Sequence, residues 1–281
     1  MSLGLVVYRH QLRAQDRFLV ECLGPLVSGL RQGGQADRFW FDRYDARGPH
    51  LFVVLGGPPE RRAGLTEQVT ATVGRYLAAH PSPATLSMEQ IEKLHRQTRG
   101  RRQCEIDGRP GFGANDSWEI FEHTGGPLPA EDEVWRLAGE MALWTIGRIA
   151  ERPGPAGLAE AVRWVAAVDR ALRADGIDPV PCWRHHASTL ISIEEELLDA
   201  LPDTLEPRHL ESLDRHWEEA ERAGDAWPEL PLLLRALLRG GTDWQALREL
   251  DHTALKQRGV PVAYHLPAVL HAWRRGRGED R

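Results

Sequence analysis

In the first part of the chain, segments with the hydrophobic pattern of strands alternate with segments that have the pattern of helices. Short β-prone runs indicate strands, and longer stretches with apolar side chains every three or four positions indicate helices. Turn residues, among them Gly33-Gly34 and the loop before His50, separate these segments. The pattern predicts a strand at 3–8, a helix at 16–30, strands at 38–44 and 50–55, a helix from Pro58 to about Ala79, and a strand at 102–107. This order is that of the split βαβ, ferredoxin-like fold.

Beyond residue 115 the apolar spacing is helical almost throughout. Ser117 is a candidate N-cap for a helix at 118–123, and longer helical segments follow between Pro and Gly breaks. They are predicted at 131–151, 157–174, 186–200, 207–223, 229–239, 243–250 and 265–274. We therefore predict an α+β part over residues 1–114, a mostly helical part over 115–275 that packs on it as one compact unit, and a charged tail at 276–281.

The composition is that of an ordinary globular protein. Of the 281 residues, 42% are hydrophobic and 27% are charged, and the net charge is −6. A nucleic-acid binder needs a basic footprint, which this balance does not supply, so we expect no nucleic-acid partner. No apolar run approaches the roughly 18 residues of a membrane span, and the N-terminal run is too short for a signal peptide. The protein is expected to be cytoplasmic and to make no membrane contact.

The most informative segment is the predicted hairpin over residues 39–55, FWFDRYDARGPHLFVVL. Strand alternation places Trp40, Asp42 and Tyr44 on one face and Arg43 on the other. The short connection should bring Tyr44 and His50 face to face, and we expect Arg43 to approach them at the mouth of a cavity. Polar groups at a strand end beside a loop are where a scaffold usually presents catalysis. The alternative is structural: Arg43 pairs with an acid and Tyr44 is a half-buried packing residue.

A second polar cluster lies at 182–188 and contains Trp183 and the adjacent histidines His185 and His186. Consecutive histidines point to different sides of a helix, so they are poor joint metal ligands, and a surface or capping role is the alternative to catalysis. The cysteines Cys22, Cys104 and Cys182 are far apart and show neither disulfide-framework nor zinc spacing. Other metal and nucleotide motifs are missing as well, and we expect no metal site.

The hairpin resembles the "RY…(G)PHL-R-x-R" segment of the lantibiotic dehydratase C-terminal family, also called thiopeptide-type bacteriocin biosynthesis domains. Eliminating members of that family carry two arginines directly after His-Leu, whereas this chain has Phe52 and Val54. They also carry an E-x-x-R-Y-G-G element, and the nearest match here, with Glu105 and Arg109, has altered spacing and no tyrosine. The alternative for residues 105–113 is a Gly-rich connecting loop. Both departures fall on features that handle glutamate.

The resemblance therefore implies a pyridine synthase, the branch that joins two dehydroalanines of one peptide by a formal [4+2] aza-cycloaddition with loss of water and leader peptide. Such a reaction needs no metal or organic cofactor. The expected partners are the modified precursor peptide with its leader and companion dehydratase or elimination enzymes. The candidate catalytic residues are Tyr44, His50, Glu105 and His186. The candidate substrate-binding residues are Asp42, Arg43, Arg109, Trp118 and Trp183, of which the two tryptophans could wall a pocket for a planar azole or could simply be core.

Two other functions fit the same resemblance. The first is a glutamyl-eliminating lyase whose carboxylate-binding arginines have moved, which requires at least two convergent basic residues in the pocket. The second is a non-catalytic protein that binds the leader peptide for a companion dehydratase, which should lack a deep pocket with titratable groups.

Overall fold

The computed structural model describes residues 2–44, 48–83, 87, 89–90, 93, 113–123, 132–152, 156–190, 207–223, 227–238, 244–260 and 262–278. The chain divides into two compact units. The first comprises Met1–Gly126 with Ala138–Gly154, and the second comprises Pro127–Leu137 with Pro155–Arg281.

The first unit is built on a four-stranded antiparallel sheet. Its strands are β1 (Ser2–Tyr8), β2 (Arg38–Tyr44), β3 (His50–Gly56) and β4 (Trp118–His123), in the spatial order β2-β3-β1-β4. Strand β1 therefore lies inside the sheet, between β3 and β4. The pairing puts Tyr8 opposite His50 and His50 opposite Tyr44, so the ends of three strands meet in one row.

Helices cover one face of this sheet. They are α1 (Leu12–Phe18), a π-helical segment (Leu19–Leu23), α2 (Gly24–Gln32) and α3 (Arg62–Ala79), which follows a short 3-10 turn; α4 (Asp132–Glu151) spans both units. Alternate strand residues such as Leu5, Phe41 and Val53 point to the helices and are fully buried with them. This arrangement leaves the other strand positions on the opposite face, which we call the second face.

Most of the predicted elements of this unit are confirmed, and one is wrong. Strands at 3–8, 38–44 and 50–55 and the helix up to Ala79 are present. Residues 118–123, predicted as a helix, form β4, because a six-residue segment shows little helical period and its pairing with β1 packs the partly buried Trp118 and Ile120 against the core. The strand predicted at 102–107 lies outside the described residues. The mixed α and β class is thus confirmed, with β4 in the segment we expected to be helical.

The described elements of the second unit are helices. They are α5 (Leu158–Ala174), α6 (Val180–Leu190), α7 (Pro207–Ala223), α8 (Leu230–Leu238), α9 (Trp244–Gln257) and α10 (Val262–Gly276). Each presents an apolar stripe to the unit's interior, as amphipathic helices do. Within the described ranges, no helix has the length and apolar character needed to cross a membrane.

Candidate functional site

The second face of the sheet carries an aromatic and polar cluster arranged in cross-strand rows. The first row consists of Tyr44, His50 and Tyr8, and the second of Asp42, Phe52, Val6 and Glu119. The third consists of Trp40, Val54, Gly4 and Phe121. Directly opposed side chains on one face of a sheet lie within contact distance. The register alone therefore assembles aromatic rings, a histidine and two carboxylates on one surface.

His50 is the most constrained side chain of the cluster. It is 2% exposed, and its Nδ1 lies 2.7 Å from the carbonyl oxygen of Gly48. Because a carbonyl only accepts, Nδ1 must carry the proton, and in the neutral ring Nε2 holds the lone pair. Gly48 has a φ of 95°, a conformation that favours glycine, and it turns the carbonyl toward the ring.

Two tyrosines flank this histidine. The ring of Tyr44, on β2, stacks on His50 with the ring centroids 5.8 Å apart. The ring of Tyr8, on β1, lies on the other side of His50, with the centroids 5.2 Å apart. Tyr8 is fully buried, whereas Tyr44 is only half-buried. The Tyr44 side of the row is therefore its more exposed side.

Phe52 occupies the first of the two positions at which the resemblance implies arginine in eliminating family members. Its ring lies 5.3 Å from His123, 6.0 Å from Phe121 and 6.3 Å from Tyr44, centroid to centroid. Its cross-strand row also holds Asp42 and Glu119. The environment of this position is thus aromatic with acidic neighbours.

Val54 occupies the second position and lies between Trp40 and Gly4. Among the described residues of the first three rows there is no arginine or lysine. Arg38 stands in a fourth row, opposite Gly56. A pair of guanidinium groups converging on Phe52 is therefore not built from the described strands.

Arg43 does not join the cluster, which corrects the trio we predicted. Strand alternation sends it to the helix-covered face, where Nη2 lies 2.6 Å from Asp16 Oδ1 and Nη1 donates to Gln15 Oε1 at 3.0 Å. It is 8% exposed. The structural alternative, an arginine paired with an acid, describes its position: it ties β2 to α1.

Two further candidate residues of the first unit, Asp42 and Trp118, lie on opposite faces of the sheet. Asp42 stays on the second face beside Phe52, and its Oδ1 accepts a hydrogen bond from the backbone N–H of Arg43 at 2.7 Å. Trp118 points to the opposite face and packs against the helix-covered core, so it does not wall the cluster. Glu105 and Arg109 lie outside the described residues.

His186 and Trp183 lie inside the second unit, on α6. Trp183 is fully buried and donates from Nε1 to Asp169 Oδ1 at 2.9 Å. His186 is also fully buried, with Nδ1 3.6 Å from Asp251 Oδ2. Arg184, His185 and Ser188 of the same segment are partly exposed, and a role for His186 or Trp183 in catalysis or substrate binding stays a prediction. The hydrophobic spacing of α6 turns these residues inward.

Burial also removes Cys182 from consideration as a nucleophile. The thiol is fully buried, and burial, with Asp251 and Asp169 adding to it, raises its pKa well above the ordinary range. A thiol that stays protonated is not reactive. In the part of the chain that the structure describes, no group of three or more His, Cys, Asp or Glu side chains is placed to hold a metal ion.

Sequence reasoning missed Tyr8, Phe121 and His123. Tyr8 ends an apolar run and His123 ends a segment taken for a helix, so neither carried a functional signal alone. Only the strand order, which places β1 between β3 and β4, brings them to His50 and Phe52.

Comparison with known proteins supports the resemblance on which the sequence interpretation rests. Residues 3–109 match the family described as "Lantibiotic biosynthesis dehydratase C-term". No curated protein matches the chain.

Solved structures share the fold over nearly the whole chain. The pyridine synthase TbtD from thiomuracin biosynthesis has a TM-score of 0.67 at 19% identity, covering 99% of this chain and 98% of that chain. The tRNA-dependent lantibiotic dehydratase MibB from Microbispora sp. 107891 has a TM-score of 0.51 at 16% identity, covering 98% of this chain but 28% of that chain. TsrL has a TM-score of 0.50 at 14% identity, covering 99% and 95%. These likenesses are of fold.

Proposed function

We propose that the chain matures a ribosomally synthesised peptide as a pyridine synthase, on the basis of the match between residues 3–109 and the lantibiotic dehydratase C-terminal family. The substrate is a leader-bearing precursor with two dehydroalanines. The strand order β2-β3-β1-β4 is compatible with a ferredoxin-like arrangement of the first unit. The similarity to a pyridine synthase over both full lengths supports this choice of reaction.

The proposed reaction balances without an added reagent. One dehydroalanine and the iminol form of the amide preceding it supply four ring atoms, and the second dehydroalanine supplies its two alkene carbons. Two new bonds close a six-membered ring. The iminol oxygen then leaves as water with one ring proton. Cleavage of the bond between ring carbon and leader nitrogen, with loss of a second ring proton, releases the leader as a carboxamide and leaves a pyridine.

The observation that carries the proposal is the surroundings of Phe52. A lyase must hold the carboxylates of a glutamyl group, which bidentate guanidinium groups do well. Here the ring of Phe52 packs with Phe121 and His123, and Asp42 and Glu119 stand in its row. Acidic side chains beside the site disfavour binding of a further carboxylate. Alkenes and azoles carry no charge, so an aromatic surface suits them.

His50 and Tyr44 are the groups we propose for proton transfer. Forming the iminol requires a base for the amide N–H and a donor for the amide oxygen. With its proton held on Nδ1 by Gly48, His50 offers Nε2 as the acceptor. Tyr44, stacked beside it and half-buried, offers a phenolic O–H as donor or acceptor. Glu105 remains a proposed further acid or base, and Arg109 a proposed contact to the peptide.

Much of the acceleration must come from positioning, because the two alkenes are far apart in the peptide sequence. Holding them together converts an improbable encounter into a local one, which can contribute about 7–11 kcal/mol. A wall of aromatic rings fixed by strand register provides such a surface. A companion dehydratase that supplies the dehydroalanines is the expected partner.

The test is direct. The purified protein is incubated with a synthetic leader–core peptide containing two dehydroalanines, and the products are read by mass spectrometry. We expect a core product lighter by one water and by the leader, together with free leader carboxamide. Tight binding without any mass change would contradict catalysis and favour the leader-binding partner instead.

A further inference from the structure

Tyr8 is a buried aromatic residue beside the proposed base, His50. Its ring centroid lies 5.2 Å from that of His50, with the planes tilted by 48°, and the residue is fully buried. Tyr44 stacks on His50 from the neighbouring strand. Together with the hydrogen bond to Gly48, the two tyrosines contact the imidazole from both adjacent strands.

The backbone of Gly113 packs closely against the Tyr8 ring. A Cβ atom added to Gly113 would lie 2.2 Å from carbon atoms of that ring, so the backbone of Gly113 is pressed against it and only glycine fits. The carbonyl oxygen of the same residue is 3.2 Å from His10 Nε2. The segment after residue 112 thus packs on both Tyr8 and His10.

The following turn, Asn115–Asp116, fixes the backbone of Tyr8. The N–H of Asp116 donates to the Tyr8 carbonyl at 2.7 Å, and the N–H of Tyr8 donates to the Ser117 carbonyl at 2.9 Å. Asn115 Oδ1 accepts from the N–H of His10 at 3.0 Å. Both backbone polar groups of Tyr8 are therefore bound by the consecutive residues Asp116 and Ser117.

Asp116 adopts a left-handed backbone conformation to make these bonds. Its φ is 61°, where a side chain other than glycine costs on the order of 1 kcal/mol or more. The carboxylate accepts from the backbone N–H of Ser82 at 2.6 Å and from its hydroxyl at 2.7 Å, and it pairs with Arg9 Nε at 3.4 Å. These interactions offset the strain of the turn.

We propose that Tyr8 is a positioning residue for His50, and that Gly113 and the Asn115–Asp116 turn set its place. This inference rests on the proposed function. An imidazole that is free to rotate presents Nε2 to the substrate amide only part of the time. A ring packed between Tyr8 and Tyr44, with Nδ1 on the Gly48 carbonyl, presents it in one place. Small misplacements of a reacting group are costly in rate.

Paired substitutions of Tyr8 separate ring packing from other effects. Tyr8→Leu removes the ring beside His50, and Tyr8→Phe keeps it. With the dehydroalanine peptide we expect Tyr8→Leu to lower kcat by at least about tenfold with KM little changed, and Tyr8→Phe to recover most of that loss. Tyr264→Leu, at an exposed position, is the matched control. A Leu variant as fast as wild type, or a Phe variant as slow as Leu, overturns the role of the ring.

A second measurement does not depend on turnover. Long-range ¹H–¹⁵N spectra of labelled protein report which histidine nitrogen carries the proton, and His50→Gln identifies the His50 signals. We expect a single Nδ1-protonated form in wild type and in Tyr8→Phe, and an averaged signal in Tyr8→Leu. Unchanged His50 signals in the Leu variant overturn the proposal. If wild type fails to cyclise the peptide, the proposed function fails, and these spectra still decide whether Tyr8 positions His50.

Discussion

At the scale of single residues, chemistry in this protein depends on which face of a strand a side chain occupies. Tyr44 and His50 share the second face with Phe52, while Arg43, one position along, is buried with Asp16 on the other face. Phe52 contributes an aromatic ring at a position where the resemblance implies a cation in eliminating family members. The proposed preference for an uncharged, unsaturated substrate over a glutamyl ester rests on these residue types on the second face.

Replacing either member of the proposed acid–base pair should slow turnover without unfolding the protein. His50→Gln keeps a donor for the Gly48 carbonyl but has no ring nitrogen, and Tyr44→Phe keeps the stacked ring without its hydroxyl. We expect each to reduce cyclisation by more than about tenfold, or roughly 1.4 kcal/mol of barrier. The assay is initial rate by mass spectrometry, with circular dichroism as the folding check. His209→Gln, at an exposed site on α7, serves as control. Normal rates in both folded variants would make the pair structural.

At the scale of elements, the sheet depends on long-range pairing that the local pattern only partly reveals. Strands β1, β2 and β3 were predictable because each is a run of β-prone residues bounded by turn chemistry. β4 was not, since the six residues from Trp118 to His123 have no clear period and become a strand only by pairing with β1. For the same reason Tyr44 opposite His50 could be expected from the hairpin, whereas the approach of Tyr8 and His123 could not.

Arg43 should prove to be a structural residue that holds α1 on the sheet. Arg43→Ala leaves Asp16 buried without its cation, and breaking a buried pair from one side costs about 3–5 kcal/mol. We expect a loss of that order in the free energy of unfolding measured with urea. The control is Arg17→Ala, which removes an exposed pair to Glu21 and should change stability by less than about 1 kcal/mol. Equal effects of the two variants would refute this assignment.

The second unit should become less stable in mild acid because of a buried histidine on α10. Burial lowers the pKa of His265 from 6.5 to about 4, with His186 and Lys256 adding to the effect and the bond to the Val260 carbonyl opposing it. The folded state therefore binds fewer protons than the unfolded state between these values. His265 contributes its full stability above pH 6.5 and loses it as the pH falls toward 4, by on the order of 3 kcal/mol.

The measurement is the free energy of unfolding at several pH values in wild type and in His265→Gln. The variant cannot titrate at this position, so its stability should fall less steeply over the interval from pH 6.5 to pH 4. Parallel curves for the two proteins would show that His265 does not cause the acid sensitivity.

At the scale of the whole molecule, an α+β unit and a helical unit each have their own buried core. The family match covers residues 3–109, whereas the likeness of fold to a pyridine synthase extends over 99% of the chain. The overall class could be predicted because strand-like and helix-like periods fall in different parts of the sequence. The inward orientation of His186 and Trp183 could not be predicted. The sequence does not distinguish a polar helix residue that faces solvent from one that faces a buried aspartate.

A peptide substrate should be held largely by its leader, far from the reacting alkenes. Binding energy gained away from the reaction centre can be used to align the alkenes. We expect the leader peptide alone to bind with sub-millimolar affinity in isothermal titration calorimetry, and core peptide without leader to bind more weakly. Equal affinity of the two peptides would argue against remote recognition.

The central claim is that the aromatic second face around Phe52 supports cyclisation and not glutamate elimination. One competition assay tests it: equal amounts of a glutamylated leader–core peptide and its counterpart with two dehydroalanines are incubated with the protein and analysed by mass spectrometry. We predict loss of water and leader from the dehydroalanine peptide while the glutamylated peptide stays intact. Release of glutamate with the dehydroalanine peptide unchanged would contradict the account and establish the lyase in its place.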